Sequence, residues 1–585
     1  MWKSVALPLF AATLSLAYPG THQCRCRPHE PCWPSGHQWQ ALNNSIDGNL
    51  QAIRPVGSVC HDPTYDHEAC QEAMAMTHDS EWRSSQPGAV QWINWESWSL
   101  ANETCYIGTS RSEPCGQGKI SEYSAVVESP DQIQQAVRFA KDHNLRLAIR
   151  NTGHDFLGRS TAPDSFQIFT HRMKNITQVE DFVPESSYES EGPAVTIEAG
   201  VQLSELYKAL DAMNVVVVAG FANTVGAAGG YIQGGGHSPL GPWAGMSADN
   251  ALEFKVVTAD GDLVTANEYQ NEDLFWALRG GGGGTFGVVT SVTLRAYPDV
   301  PSMSSQIGFY RPVADDAYWD AVRDFYAFLP TMVDAGVSGY VIVTPQQVSE
   351  NGTTMALGGA QLFFVNQTDE SEARKLFEPL LSDWEDTLGY RADLNFTQLP
   401  KITSYFAETL KGSDYTGAGT AMASRLISRE FLKSPDGPAA VAQAIKDLDL
   451  PPNDQALGNI VGGGQVARNA DLVDNAINPA WRKTICHEII TRGWSEKQSL
   501  AEQKAIQDDV LNVVVPTLKS LEPGEMGAYV NEANANEPDF QEAFWGENYE
   551  RLYQIKQEWD PHGLFIARLG VGSEDWDDAG LCRIN

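Results

Sequence analysis

The chain has 585 residues, of which 42% are hydrophobic and 20% charged, and its 40 Lys and Arg against 75 Asp and Glu leave a formal charge of −35. This length predicts two or three domains, and the composition is that of an ordinary globular protein rather than a disordered one. The negative charge repels phosphate backbones and anionic membranes, which argues against nucleic acid or a membrane surface as a partner.

The first residues form a charged start, a short apolar run and small residues before Tyr18. This pattern predicts a secretory signal peptide over residues 1–17, and no later apolar run is long enough to span a membrane. We therefore expect a secreted, extracellular protein. Acceptor triplets for N-glycosylation fit the same compartment, and they occur at Asn43, Asn102, Asn175, Asn351, Asn366 and Asn395.

Residues 18–118 are rich in Cys, Pro and Trp and hold seven of the nine cysteines. In a secreted chain such crowding predicts a disulfide framework, with Cys582 as a candidate eighth partner and Cys486 as a buried thiol in a strand. Cys24 and Cys26 are too close to pair comfortably with each other. A zinc site is the alternative, but there is no Cys-x2-Cys pair and no metal is predicted.

A β-α-β pattern begins at Tyr123–Val127. Ser129-Pro130-Asp131 supplies an N-cap, a first-turn proline and an acid for a helix that ends near Asn144, and the apolar run 145–150 comes next as a strand. The polar loop of residues 150–155 then lies at the carboxyl end of this unit, where ligands usually bind. Its glycine lets the backbone approach a phosphate and would hold His154 beside the ligand, whereas the alternative is a turn with a surface histidine.

Two glycine runs come later in the chain, at residues 226–238 and 280–287. Such runs add little stability and normally mark backbone lying against a ligand, although the first could also be a mobile linker. Asp260-Gly261 between strand-like runs predicts a hairpin. Gly282, Gly284 and Gly287 match the G-x-G-x-x-G pattern, but a helix precedes them and a strand comes after them, so an NAD-binding Rossmann unit is rejected.

From about residue 300 to 524 strand-like runs alternate with amphipathic helices, which predicts an antiparallel sheet backed by helices, a second domain. The final piece, residues 525–585, holds a predicted helix over 540–559.

Several of these segments together resemble the berberine bridge enzyme-like flavoprotein oxidases of the vanillyl-alcohol oxidase superfamily; they are residues 150–155, 229–238, 245–250, 280–287 and 545–552. The cysteine-rich start is most similar to the secreted fungal branch that includes isoamyl alcohol oxidase. The resemblance implies an α+β fold with a PCMH-type FAD-binding domain split in sequence, at residues 119–299 and 525–585. The substrate domain, residues 300–524, would roof the flavin ring.

The resemblance also implies which residues meet FAD. His154 would carry a covalent bond to the flavin, and alanine at position 222, where many relatives have a cysteine, predicts a single tether. A neutral imidazole suits this chemistry because it is the side chain most easily neutral near physiological pH. The other implied contacts are Arg150, Asn151, Thr152, Gly153, Asp155, Val225, Gly229, Gly230, Gly234, Gly235, Gly236, His237, Ser238, Gly245, Asp249, Asn250, Gly284, Gly287, Val289 and Asn531.

The expected reaction is removal of hydride from an alcohol, with a base taking the hydroxyl proton and O2 then giving H2O2. Tyr529 is one candidate base, but it would need a depressed pKa. His487 is the other, with a satisfied core histidine as the alternative, and Val225 lies where oxidases keep a small side chain. Alternatives are a flavoenzyme of secondary metabolism that closes a ring or oxidises an amine, a carbohydrate dehydrogenase, and an inactive glycoprotein.

Overall fold

The computed structural model describes residues 24–389, 392, 394–524 and 526–584, so the expected signal peptide lies outside the described residues. The first segment contains short elements only: α1 (Gly36–Ser45), β1 (Leu50–Ala52), α2 (His67–Met76) and α3 (Ser80–Ser85). This segment packs on the first sheet, since Trp39 of α1 stacks on Tyr123 with ring centroids 4.1 Å apart.

The next part holds two sheets. Its elements are β2 (Tyr123–Val126), α4 (Pro130–Asp142), β3 (Arg146–Arg150), β4 (Ser165–Phe169), β5 (Ile176–Val179), β6 (Ala194–Glu198), α5 (Leu203–Met213), β7 (Val215–Val216), α6 (Gly241–Ala244), β8 (Ala251–Val257), β9 (Leu263–Asn267), α7 (Glu272–Leu278) and β10 (Val288–Arg295).

The elements of the predicted β-α-β unit are confirmed. Ser129 caps α4, and Ile133, Ala136, Val137 and Ala140 bury its apolar face. The sheet order is β1-β2-β4-β3, so β4 lies between β2 and β3 and pairs in parallel with both. Periodicity defines a strand's faces but not which strand lies beside it, and the N-terminal segment adds β1 at the edge.

The second sheet is antiparallel, with the order β5-β6-β10-β8-β9. The predicted hairpin is present, since β8 pairs with β9 from Val257 and Leu263 outward. α7 ends before the second glycine run and β10 begins after it, which is the inverted order that excluded a Rossmann unit.

The third part is built on a seven-stranded sheet with only antiparallel pairs, in the order β15-β12-β14-β13-β17-β18-β16. Its elements are β11 (Tyr297–Pro298), β12 (Ser302–Arg311), α8 (Asp316–Asp334), β13 (Val337–Val348), β14 (Thr354–Phe364), α9 (Glu370–Leu388), β15 (Asn395–Leu399), α10 (Ile402–Thr409), β16 (Gly419–Ser428), α11 (Arg429–Lys433), α12 (Gly437–Asp447), β17 (Ala456–Ile460), α13 (Gly464–Arg468), β18 (Thr484–Trp494), α14 (Leu500–Asp509) and α15 (Val515–Lys519).

Helices cover one face of this sheet, as the sequence predicts. The core between them contains Tyr326 of α8, Trp384 of α9 and Ile445 of α12, all buried. On β18 the alternation directs Glu488 toward α8, where Tyr326 donates a 2.7 Å hydrogen bond to it. His487 therefore faces the opposite side, toward the rest of the molecule.

The chain then returns to the glycine-rich part. The predicted single helix over 540–559 is two helices, α16 (Phe540–Trp545) and α17 (Tyr549–Trp559), because Gly546 takes a positive φ of 54° that ends the first. Trp545 donates to the carbonyl of Gly280 at 3.0 Å, and buried Lys556 donates to that of Thr285 at 2.7 Å. The C-terminal piece thus packs directly on the second glycine run.

Eight cysteines form four disulfides: Cys24–Cys582, Cys26–Cys32, Cys60–Cys70 and Cys105–Cys115. This confirms the predicted framework and the pairing role of Cys582, and Cys486 is free and buried, as expected. In the described part of the chain, none of the helices has both the length and the apolar composition that crossing a membrane requires.

Candidate functional site

A cavity lies where the loop after β3, the first glycine run, the start of β10 and the C-terminal piece meet. Many of the predicted contact residues line it: Asn151, Thr152, Gly153, His154, Asp155, Val225, Gly229, Gly230, Gly284, Gly287, Val289, Tyr529 and Asn531.

The glycines let backbone approach backbone here. A Cβ on Gly283 would lie 2.7 Å from the Cα of Gly230, so the two glycine runs touch without side chains between them. By contrast, a Cβ on Gly230 would have no atom closer than 3.9 Å, and Gly284, with φ of 75°, would have none within 4 Å. The runs therefore make one tight contact and leave open space beside it, which is the arrangement of a cradle for a ligand.

Other predicted contact residues support the cavity without lining it. Buried Arg150 donates to the carbonyls of Arg83, at 2.7 Å, and Gln86, which fixes the loop after β3 to the N-terminal segment. Asp249 forms a buried ion pair with Arg482 at 2.9 Å. The remaining predicted contacts that do not line the cavity are Gly234, Gly235, Gly236, His237, Ser238, Gly245 and Asn250, and their direct contact with a cofactor stays a prediction.

His154 is held by groups that sequence reasoning missed. Its Nε2 lies 2.5 Å from Oγ1 of Thr224 and 4.0 Å from a carboxylate oxygen of Asp414. Burial lowers the pKa of His154 to about 4, against the opposing effect of Asp414. The imidazole is therefore neutral near pH 7, as the predicted covalent chemistry requires.

Arg159 places a positive charge at the cavity wall. Its Nε donates to Asp155 at 3.0 Å and its Nη2 to Asn531 at 3.1 Å, while its Nη1 is buried with no hydrogen-bond partner among the described residues. Arg159 lines the cavity, so the spare donor is suited to an anionic or carbonyl oxygen of a ligand. The i,i+4 spacing from Asp155 was the available sequence signal.

The cavity fits FAD on these observations. Besides Arg159 Nη1, two other cavity residues have buried polar atoms without a partner in the described part of the chain, namely Oδ1 of Asn151 and Oε1 of Gln233. Buried polar groups are normally hydrogen-bonded, so orphans around an open, glycine-lined space indicate that a polar ligand completes them. A dinucleotide with a flat ring system, hydroxyls and phosphates supplies both the shape and the partners.

A second cluster stands at the roof side of the cavity. Glu532, which lines the cavity, accepts a 3.0 Å hydrogen bond from Nε2 of His237, and Nδ1 of His487 lies 3.5 Å from the same carboxylate oxygen. The rings of Tyr529 and Trp481 enclose the two histidines at centroid distances of 5.2 to 6.1 Å. The ligating atoms of the two histidines and Glu532 lie within 4.8 Å of one another.

The electrostatics of this cluster favour Glu532 over the two predicted bases. Although burial alone would raise it, His237 and His487 lower the pKa of Glu532 below its usual range. Burial raises the pKa of Tyr529, so the depressed value that a tyrosine base needs is not met. Burial also lowers the pKa of His487 to about 3, and neither of its ring nitrogens has a hydrogen-bond partner among the described residues.

Tyr529 acts instead as a neutral hydrogen-bonding group. Its hydroxyl accepts from Nδ2 of Asn531 at 2.7 Å and from the amide of Gly236 at 3.3 Å. Asn531 also donates to the carbonyl of Gly230 at 2.9 Å, so the Tyr-x-Asn segment ties the C-terminal piece to the first glycine run. Glu532 follows Asn531 directly, but sequence reasoning did not select it, because a position next to a motif does not show where the side chain points.

Comparisons with known proteins agree with this geometry. A model of the FAD binding domain matches residues 122–267, and a model described as berberine and berberine like matches residues 528–572. A protein of Arthroderma benhamiae described as an uncharacterized FAD-linked oxidoreductase is 50% identical over 572 residues, covering 97% of each chain. The FAD-linked oxidoreductase malF of Malbranchea aurantiaca is 44% identical over 562 residues, covering 96% of this chain and 94% of its own.

Solved structures of flavoproteins have the same fold. The VAO-type flavoprotein MtVAO615 of Myceliophthora thermophila C1 superposes with a TM-score of 0.85 at 32% identity, over 96% of this chain and all of its own. A single-substitution variant of berberine bridge enzyme has a TM-score of 0.66 at 17% identity over 91% of this chain and 99% of its own, which speaks to the fold alone.

Proposed function

Because the chain belongs to the berberine bridge enzyme-like family of FAD-linked oxidoreductases, we propose that it oxidises a small-molecule alcohol to a carbonyl compound, using FAD covalently bound to His154 and O2 as the final acceptor. When bound, FAD supplies a hydride acceptor that O2 can reoxidise with release of H2O2. The observation that carries the proposal is that one cavity is lined both by His154 and by the carboxylate of Glu532, which His237 holds by a hydrogen bond.

The residues that would hold FAD are those of the cavity wall. Asn151 to Asp155, Gly229, Gly230, Gly283 and Gly284 present backbone, and Arg159 presents a cationic donor. His154 would carry the single tether, because position 222 is alanine. Val225, also on the wall, keeps a modest side chain beside the ring site and supports oxidase over dehydrogenase chemistry.

The chain's own contribution to the chemistry is proton removal. Glu532 takes the proton of the substrate hydroxyl, and the Nε2–H of His237, 3.0 Å away, holds the carboxylate in place by a hydrogen bond. His487 stays neutral behind this pair. The neutral hydroxyl of Tyr529 and the ring of Trp481 close the cluster against water, which strengthens each electrostatic interaction inside it.

An amine is the second candidate substrate. A carboxylate on the cavity wall, a quarter exposed and close to the aromatic cluster of Tyr529 and Trp481, is also a favourable environment for an organic cation. An assay of peroxide release on matched alcohols and amines of equal carbon skeleton separates the two candidates, and an artificial electron acceptor without O2 identifies a dehydrogenase.

We also propose that the protein is secreted. The expected signal peptide and the four disulfides support an oxidising compartment, where such bonds persist. Antibody detection of the chain in culture medium, with its N-terminus sequenced to locate cleavage after Ala17, tests this proposal; a chain retained inside the cell with residues 1–17 intact would contradict it.

The attachment is tested by acid precipitation of the purified protein. We expect yellow colour in the wild-type pellet and, for His154→Ala, in the supernatant, because FAD would then be held by non-covalent contacts only. A His154→Ala pellet as yellow as the wild type would assign the bond to another residue, and a colourless native protein would contradict the FAD proposal itself.

A further inference from the structure

Thr224 and Asp414 contact His154 but have no part in the mechanism above. Thr224 lies in the loop between β7 and the first glycine run, whereas Asp414 belongs to the loop between α10 and β16 of the third part. The two residues therefore come to His154 from different parts of the fold. They form one line of polar atoms, from Nε2 of His154 through Oγ1 of Thr224, at 2.5 Å, to Oδ2 of Asp414, a further 3.4 Å away.

The proton positions along this line are determined by which groups can donate and which can accept a hydrogen bond. A carboxylate can only accept, and Oδ2 of Asp414 already accepts from the amides of Asn223, at 3.1 Å, and Thr224, at 3.2 Å. The single proton of the Thr224 hydroxyl therefore goes to this charged acceptor, which is stronger than a neutral nitrogen. The hydroxyl oxygen is then free to accept, and the partner that it faces is Nε2–H of His154.

We propose that Thr224 and Asp414 are positioning residues that hold His154 as its Nε2–H tautomer, so that Nδ1 carries the free electron pair and forms the bond to the flavin. This rests on the attachment proposed above. In the neutral ring one nitrogen bears the proton and only the other can act as a nucleophile, so the partner of Nε2 decides which nitrogen reacts.

Atoms and electrons balance in this attachment. A C–H bond of the flavin 8α-methyl group breaks and its proton leaves to solvent, the Nδ1–C bond forms, and two electrons pass into the flavin ring. O2 takes up these electrons with two protons and leaves as H2O2, which restores the oxidised ring. Nε2 keeps its proton while the bond forms, so the alkylated ring becomes an imidazolium, whose positive charge is offset by the carboxylate of Asp414, 4.0 Å away. Asp414 therefore supplies orientation and charge but no proton.

The position of Asp414 depends on assembly of the whole fold. Its amide donates to Oγ of Ser80 at 2.8 Å, and the amide of Ser80 donates to Oγ of neighbouring Ser413 at 2.5 Å. Ser80 begins α3 of the N-terminal segment. Three separate parts of the chain therefore meet beside His154, and the correct tautomer is favoured only after they have docked.

The test compares Thr224→Val, which removes the hydroxyl at nearly constant shape, with Thr224→Ser, which keeps it. For each purified variant, covalent flavin is measured as the fraction in the acid pellet and as intact-chain mass, and total FAD in the native protein reports binding. We expect Thr224→Val to bind FAD but to attach it about 10- to 100-fold more slowly, the usual loss when an outer partner of a functional histidine is removed. Thr224→Ser should attach it at a near-normal rate.

Asp414→Asn provides a second variant, since it keeps the shape and removes the charge, and it should also slow attachment while FAD binding persists. Attachment by Thr224→Val and Asp414→Asn at the wild-type rate would overturn the proposal, as would a flavin peptide shown by NMR to be linked through Nε2. Covalent flavin retained by His154→Ala would contradict attachment at His154 itself. That outcome is distinct from the outcomes that contradict only the positioning role of Thr224 and Asp414. If Thr224→Val does not fold, the attachment rate of Asp414→Asn and the identity of the histidine nitrogen bonded to the flavin in the wild type test the proposal.

Discussion

Glu532 shows how a functional side chain is defined by its neighbours rather than by its own motif. Against the opposing effect of burial, its pKa is lowered chiefly by His237, which donates a hydrogen bond to it, and it faces the cavity because Tyr529 and Asn531, just before it, are fixed by hydrogen bonds to the first glycine run. The proposed proton acceptor therefore depends on the meeting of the first glycine run and the C-terminal piece.

Replacement of Glu532 tests the assignment of the base. Glu532→Gln keeps the shape but cannot take a proton, so kcat should fall about 10²- to 10⁴-fold, the usual contribution of general base catalysis. FAD content should stay normal, because Glu532 is not among the groups proposed to hold it. Stopped-flow reduction of the flavin by substrate measures the loss, and exposed Glu385→Gln on α9 is the control.

A chelator should not change the activity, since Glu532 and His237 already satisfy each other with a hydrogen bond. Full activity of Glu532→Gln would move the base elsewhere, and loss of activity with the chelator, restored by a metal, would assign the cluster to a metal ion instead.

His171 gives a pH-dependent prediction. Burial and the nearby cations Lys174, Arg150 and Arg172 lower the pKa of His171 to about 3. The unfolded chain takes up this proton at about pH 6.5 and the folded chain does not, so the residue costs stability progressively as the pH falls from about 6.5 toward 3. His171→Phe keeps the stacking on Phe169, so the variant should lose less unfolding free energy than the wild type as the pH falls.

Urea unfolding of both proteins at pH 7, 6, 5 and 4 measures the difference, which should grow in favour of the variant at lower pH. Other titrating groups are common to both proteins and cancel. Exposed His37→Phe is the control, and its difference from wild type should stay constant. Parallel curves for His171→Phe would contradict the prediction.

At the scale of elements, the two glycine runs work as a pair. Gly283 has no room for a side chain because a Cβ there would touch the backbone of Gly230, whereas a Cβ on Gly230 would enter open space. The sequence does not show which glycine is restricted by a contact and which borders open space, since both simply belong to glycine runs.

Substitution of Gly230 separates cofactor binding from folding. A Cβ there meets only Arg159 Nη2, at 3.9 Å, so Gly230→Val should fold with little loss of stability and yet fill part of the cavity. We expect FAD content to fall at least about tenfold, which corresponds to ~1.4 kcal/mol of lost binding free energy. Absorbance of the purified protein measures the FAD content and thermal unfolding of the FAD-free protein measures the stability.

Gly493→Val on β18 is the matched control, since its Cβ would also be unobstructed to 3.8 Å but lies away from the cavity. Normal FAD content in Gly230→Val would show that the cofactor does not use this space.

At the scale of the whole molecule, Cys24–Cys582 joins the two ends of the described chain across 558 positions, and the C-terminal piece packs on the second glycine run. The split FAD-binding part is therefore closed by covalent as well as non-covalent contacts. All nine cysteines are described, and Cys486 alone is left as a thiol, buried among the residues between the third sheet and its helices.

The native protein should accordingly be inert to a thiol reagent, and one thiol per chain should react after unfolding without reductant. Burial raises the pKa of Cys486 well above its usual range, which further suppresses reaction in the folded state. Cys486→Ser should abolish the signal. More than one reactive thiol in the unfolded chain would mean that a disulfide is not formed.

The sequence by itself determined the elements whose signals are local: the cap and first turn of α4, the hairpin at Asp260-Gly261, the inverted context of the second glycine run, and the alternation that makes β18 a strand. It also predicted the cavity wall around His154, because a glycine run and a polar loop after a strand are each formed by consecutive residues. Periodicity and turn chemistry likewise depend on residues close in sequence, so they are predictable without the tertiary structure.

Only the tertiary structure decided which segments meet. It inserted β4 between β2 and β3, ended α16 at Gly546, and brought Thr224 and Asp414 to His154 and Glu532 to His237. The hydrogen bonds from His154 to Thr224 and from His237 to Glu532 join residues 70 and 295 positions apart, and the pKa values of His154 and Glu532 depend on the burial and charges around them. No local pattern encodes these contacts, which is why the sequence predicted a histidine beside a cofactor and missed the residues that contact it.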